Sequence, residues 1–174
     1  MATPTSLPAT FVAGNVLTAA QMNDLRGAFR ILQVVRATDT SDFSTSSTSA
    51  VDVTGVSVTI TPTSADSPIL LVLTARAYVD NSPNQDGRGN VVITDSSNNA
   101  ISGAELTTFG FNNLSGTGTK TGHSASPLAI AWATPATTSA TTYKARAYVS
   151  NASAVLYFSG ATQTTQLFAI EVSA

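Results

Sequence analysis

The chain has 174 residues, enough for one domain with a sizeable core plus an appendage, and too few for two large domains. Only 10% of its residues are charged, the formal net charge is −2, there is no cysteine, and hydrophobic residues make up 43%. This composition excludes disulfides, thiolate chemistry, cysteine-based zinc sites and a highly charged disordered tether, and 48 serines and threonines imply a surface clad in hydroxyls.

Residues 1–10, MATPTSLPAT, hold two prolines and no periodic apolar pattern, so they read as an extended leader. They lack the basic and apolar regions of a signal peptide, and the longest aliphatic run, Ile69 to Leu73, is far short of the ~20 residues of a membrane helix. Neither secretion nor a membrane partner is expected. A short helix is predicted next. Thr18 serves as N-cap, Gln21 sits three residues on as its capping-box mate, and Leu17 and Met22 occupy the positions of a hydrophobic staple. Met22, Leu25 and Phe29 then recur on one face, and Gly27 weakens the run by about 1 kcal/mol relative to alanine. A helix this short is marginal in water, so its apolar face needs a partner. Residues 1–36 carry Arg26, Arg30 and Arg36 against Asp24, a balance of +2, and the remainder carries −4. The leader is basic and the body acidic.

From Ile31 onward the period changes from helical to two. Strands are predicted at Ile31 to Thr38 and Val51 to Thr61, the second with Val56, Val58 and Ile60 on one face and Ser57 and Thr59 on the other. ILLVLTARAYVD, residues 69–80, reads as one central strand. Further strands are expected at 90–94, 100–111, 127–133, 141–150, 155–159 and 166–172. Eight or nine short strands with turn signals between them indicate an all-β fold, an antiparallel β-sandwich or jelly roll. The sequence ARAYVDN at 75–81 echoes ARAYVSN at 145–151, but the flanks do not match, so local convergence is preferred to duplication. In both copies Arg and Tyr share one face and Ala and Val the other, which brings each guanidinium within reach of an acidic partner.

The residues that carry chemistry are few. His123, the only histidine, falls in the Gly/Ser/Thr-rich stretch 112–126, expected as a loop, and GHSAS does not match a nucleophile elbow. Glu105 and Glu171 are the only glutamates, and their spacing does not place them as a hydrolytic pair. The stretch DNSPNQDGRGN, residues 80–90, is dense in oxygen ligands, but aligning Gly87 with the glycine of an EF-hand puts Ile93 where the bidentate glutamate belongs. A hairpin built on Asp86-Gly87 is expected there instead. Neither a metal nor any other cofactor is expected, and eight basic residues without an aromatic-interleaved cluster argue against nucleic acid as a partner. The composition points to a non-enzymatic protein.

Two stretches resemble known families. TFVAGNVLTAAQMNDLR is similar to a segment, roughly F-x-A-G-x-V-L-T-A-A-Q-M-N, that opens many structural proteins of tailed bacteriophages; Phe11, Gly14, Leu17, Thr18, Ala19, Gln21, Met22 and Asn23 match it. Residues 38–174, through VDVTGVSVTITPTSADSPILLVL, PATTSATTYKARAYV and TTQLFAIEVSA, resemble a small phage β-sandwich family related in appearance to trimeric tumour-necrosis-factor and C1q-like jelly rolls. The resemblance implies a homotrimer located on the virion, with the C-terminal strand near the centre of the assembly. Residues 1–37 are then an attachment arm and 38–174 the sandwich. Phe11, Leu17, Met22, Leu25 and Phe29 would bury against another phage virion protein, a major capsid or tail protein, while Arg26 and Arg30 fix orientation. With no shaft, collagen-like repeat or heptad array between arm and sandwich, a capsid decoration or short appendage fits better than a long tail fibre. The alternative expectation is a tail-tip module that binds a receptor or host surface glycan through residues 80–90 and 112–126, with Tyr78 and Tyr148 nearby.

Overall fold

The computed structural model describes residues 30–81, 87–101, 107–111, 120–124, 128–158 and 163–173. Phe11, Leu17, Met22, Leu25, Arg26 and Phe29, with the whole expected helix, lie outside them; of the expected attachment residues only Arg30 is described. Among the described residues the regular structure is entirely β and all pairings are antiparallel. The strands are β1 (Ile31–Asp39), β2 (Phe43–Thr45), β3 (Val51–Ile60), β4 (Ile69–Thr74), β5 (Ala77–Asn81), β6 (Gly87–Asp95), β7 (Thr107–Phe111), β8 (Lys120–Ser124), β9 (Leu128–Ala133), β10 (Thr141–Val149), β11 (Ala154–Phe158) and β12 (Thr165–Val172).

These form three four-stranded sheets, ordered β1-β12-β4-β9, β3-β10-β6-β7 and β2-β11-β5-β8. The first and third correspond position for position. β1 leads into β2, β11 into β12, β4 into β5 and β8 into β9, so both sheets follow the same four courses of chain. With β3, β6, β7 and β10, the described strands make eight courses. Their inward residues share one core, in which Ile60, Leu71, Ile93, Tyr143, Leu156 and Leu167 are buried from all three sheets.

Alternation explains most of the strands. β10 buries Tyr143, Ala145, Ala147 and Val149, and β12 buries Thr165, Leu167, Ala169 and Glu171, every second residue in each case. β3 breaks the rule once. Val53 is buried, the next two residues are exposed, and burial resumes at Val56, because the ladder to β10 shifts between Arg146↔Asp52 and Lys144↔Ser57. Gly55 sits in this bulge at φ +79°, and a Cβ on it would come within 2.9 Å of the Asp39 carboxylate. At the start of β6, Gly87 is required for a different reason: a side chain there would collide with Asn81 and Ala154.

The structure corrects several expectations. Residues 69–80 are two strands: Thr74 is the last to pair with β12 and β9, whereas Ala77 pairs with Phe158 of β11 and Ser124 of β8. Burial alternates without interruption through Ala75 and Arg76, so the apolar pattern carries no mark of the exchange of partners. Residues 100–111 are not continuous either; Ala100 makes an isolated bridge to Thr94 and the strand starts at Thr107. β5 and β6 belong to different sheets, so residues 82–86 do not connect a hairpin. β2 and β8 arise in hydroxyl- and glycine-rich stretches without apolar alternation, and pairing to β11 and β5 makes them strands. His123 thereby stands on β8, opposite Tyr78, rather than in a loop. β1 pairs with β12 from Ile31 to Asp39.

Candidate functional site

The two largest outer sheet faces differ in kind. On β3-β10-β6-β7 the face carries a paired polar cluster. Asp52 receives Lys144 Nζ at 2.9 Å and Arg146 Nε at 2.8 Å, and the hydroxyls of the cross-strand pair Thr59 and Thr142 are 2.8 Å apart. The hydrogen bond from Lys144, with that from Arg146 and the two positive charges, holds the Asp52 carboxyl below its ordinary pKa against a smaller effect of burial.

The outer face of β1-β12-β4-β9 is apolar. Register places Val34, Ile170, Leu70 and Trp132 in one row across the sheet, and Arg36, Phe168, Val72 and Ile130 in the next. Leu70, Val72, Phe168 and Ile170 are half-buried, while Val34, Ile130 and Trp132 are 54%, 41% and 48% exposed. With Ile31 on the same edge strand, these are all the exposed large hydrophobic residues among the described ones. The single charge in the two rows is turned onto the face: the Arg36 guanidinium lies 6.0 Å from the Phe168 ring centroid and donates to Gln166 Oε1 at 3.4 Å. These side chains form one contiguous apolar surface. Sequence reasoning did not identify the face, because its residues come from four strands. Its signal was present in TQLFAIEV, where Phe168 and Ile170 occupy the positions opposite the buried Leu167 and Ala169.

Arg30 lies at the margin of this face, exposed, with its backbone N–H donating to Ser173 Oγ at 3.0 Å and its carbonyl accepting from Ser173 N at 2.8 Å. Arg30 directly precedes β1, the edge strand of the apolar sheet.

Glu171, the described member of the two glutamates, faces inward from β12 and is completely buried. Gln33 Nε2 donates to its Oε2 at 2.6 Å, and the Thr63 amide and hydroxyl donate to Oε1 at 2.8 and 2.7 Å. Burial pushes this carboxyl up, but the hydrogen bonds from Gln33, from Thr63 and from Ser67 together outweigh it and hold it below its ordinary pKa. Its oxygens are taken up by the protein and closed to substrate, so Glu171 ties the 61–67 turn to β1 and β12. Glu105 lies outside the described residues.

Two open grooves flank the sheets. One, of about 470 Å³, lies beside Trp132 and is bordered by Asp95, Thr137, Thr141 and Tyr143. The other, of about 270 Å³, lies beside Tyr157. Tyr78 and Tyr148 stand on different sheets; Tyr78 stacks on Tyr157, with ring centroids 4.8 Å apart and planes at 11°. Among the described residues no three acidic or histidine side chains gather as a metal site, and no helix is long and apolar enough to cross a membrane.

No family model matches the chain, and no curated protein matches it. Among solved structures the chain is similar to "Structure of infectious bursal disease virus Gx strain", at 15% identity and a TM-score of 0.30, over 96% of this chain and 42% of that one. It is similar also to "Structure of infectious bursal disease virus Gt strain", at 14% identity and a TM-score of 0.24, again over 96% of this chain and 42% of that one. The chain thus spans about two fifths of the length of each.

Proposed function

We propose that the protein is a non-enzymatic structural component of a bacteriophage particle, a homotrimer displayed on the virion surface as a capsid decoration or short appendage. The observation that carries this reading is the apolar β1-β12-β4-β9 face, which the described chain leaves uncovered, while the outer face of β3-β10-β6-β7 carries a paired ion cluster. Three copies meet through this face about a threefold axis, with β12 toward the centre. Burial of Val34, Phe168, Ile170, Ile130 and Trp132 then supplies the association energy at about 25 cal/mol per Å² of apolar surface.

The strand order supports the architecture that goes with this role. Counting the four broken courses as single strands, β1/β2, β11/β12, β4/β5 and β8/β9 lie side by side, and β3, β10, β6 and β7 form the other group. That is the order of an eight-stranded jelly roll made of two interlocked Greek keys. The segment resembling phage virion openings would leave from Arg30 at the margin of the same face, where three arms gain avidity for a capsid or tail lattice.

Light scattering on the purified full chain tests the trimer. The expected mass is three times the 17.8 kDa of the protomer. A lone protomer at micromolar concentration would contradict the assembly. Removal of residues 1–29, which leaves β1 intact, is expected to preserve the trimer and abolish incorporation into particles seen by electron microscopy; retained incorporation would contradict the arm.

A further inference from the structure

The groove beside Tyr157 lies on β2-β11-β5-β8, away from the apolar face, and its chemistry is different. Ser44, Tyr157 and Tyr78 are successive cross-strand neighbours on three adjacent strands. Parallel stacking joins the two tyrosine rings into one slab standing on the sheet. The groove is lined by Asp42, Phe43, Ser44, Tyr78, Tyr157 and Phe158. Phe158 is buried and meets Phe43 edge to face, with centroids 5.8 Å apart, so the strands beneath the tyrosines are anchored in the core. A carboxylate and a hydroxyl, from Asp42 and Ser44, complete it. Asp80 adds a second negative charge on the same outer face of β5, two residues from Tyr78. Burial, followed by the charges of Asp80, Tyr157 and Asp42, raises the Tyr78 phenol above its ordinary pKa against the smaller opposing charge of Arg76.

We propose that this groove binds a neutral pyranose ring, with the sugar's C–H face against the tyrosine slab and its hydroxyls bonded to Asp42 and Ser44. A pyranose presents a patch of weakly positive C–H groups on one face and vicinal hydroxyls at its rim. The negative face of an aromatic ring attracts the first. A carboxylate accepts from the second in charge-assisted bonds, and a serine hydroxyl can donate or accept. Other ligand classes fit less well. A purely apolar ligand would lay hydrocarbon against the carboxylate of Asp42 and the hydroxyl of Ser44 and offer neither a hydrogen bond. An acidic sugar or a phosphate would meet the negative charges of Asp42 and Asp80, which the single positive charge of Arg76 offsets only in part. A quaternary ammonium ion is held by rings that surround it, and here the two tyrosines lie parallel. At about 270 Å³ the groove falls below the roughly 300–1,000 Å³ of drug-sized clefts, which suits one sugar unit.

This inference does not rest on the assembly face. Its test is saturation-transfer NMR on the full chain with the methyl glycosides of glucose, galactose, mannose and N-acetylglucosamine, alongside N-acetylneuraminic acid and choline. Transfer to the ring C–H protons of at least one neutral glycoside is expected. Loss of the stacking face in Tyr157→Ala is expected to weaken binding about tenfold, and Tyr157→Phe to retain it. Ser44 is exposed, so Ser44→Phe should plug the groove without disturbing the core, and it decides the matter if Tyr157→Ala fails to fold. Trp132→Lys, on the assembly face, should leave sugar binding unchanged. Absence of transfer to every neutral glycoside would overturn the proposal. So would binding that survives Ser44→Phe, or a preference for the acidic sugar or choline.

Discussion

Thr63 donates both its amide and its hydroxyl to one oxygen of Glu171, at 2.8 and 2.7 Å, across 108 positions of sequence. The carboxylate has no solvent contact, so these bonds and those from Gln33 and Ser67 replace its hydration. Glu171→Gln places an NH₂ group among donors, and a loss of about 2–3 kcal/mol in chemical unfolding is expected. The pH dependence follows in sign. The folded-state pKa lies below the ordinary value of 4.5, so the contribution of Glu171 is fully present above that value and is lost as pH falls through the lower folded one. Wild type should therefore lose stability on acidification below pH 4.5, and Glu171→Gln should lose less over the same interval.

Gly55 holds φ +79° in the β3 bulge, against the side chain of Asp39. Gly55→Ala combines left-handed strain with a clash, and a loss of about 1–3 kcal/mol is expected by thermal or denaturant unfolding. Removing the clash separates the two causes. In an Asp39→Ala background the same substitution should cost less, and the remainder measures the backbone strain.

Trp132 and Val34 stand in the same row of the apolar face, roughly half exposed in the protomer. Trp132→Lys and Val34→Asp should leave the unfolding midpoint of the protomer nearly unchanged, because neither side chain belongs to the core. Both should shift the solution mass from trimer to protomer by placing a desolvated charge in the contact. Equal masses for wild type and both variants would count against this face as the interface.

Asp52 joins Lys144 and Arg146 in a two-sided ion pair, but half of its side chain is open to water. Asp52→Asn is expected to cost less than about 1 kcal/mol, and to make stability less sensitive to added salt. A larger loss would mean that the cross-strand anchoring of β3 to β10 depends on this network.

What residue order alone determined was local. Alternation, broken once at the bulge of β3, agrees with β3, β10 and β12 nearly to their ends, because a strand half-buried in a core sorts its side chains to two faces. The ARAYV stretches sorted as expected too: Ala145, Ala147 and Val149 are buried and Arg146 faces outward to Asp52. The shortage of ionic side chains and the abundance of hydroxyls were likewise plain. Partner choice, by contrast, belongs to the tertiary structure. Nothing between Leu73 and Ala77 marks where the chain leaves β12 and β9 for β11 and β8, since both sheets demand the same alternation. Ser44 and Lys120 to Ser124 become strand residues only because β11 and β5 offer unpaired edges to them. The apolar face exists only once four strands bring Val34, Ile170, Leu70 and Trp132 into one row, and the tyrosine slab only once β5 and β11 pair. A face is a property of register, and register is set by long-range hydrogen bonds that no short window of sequence contains.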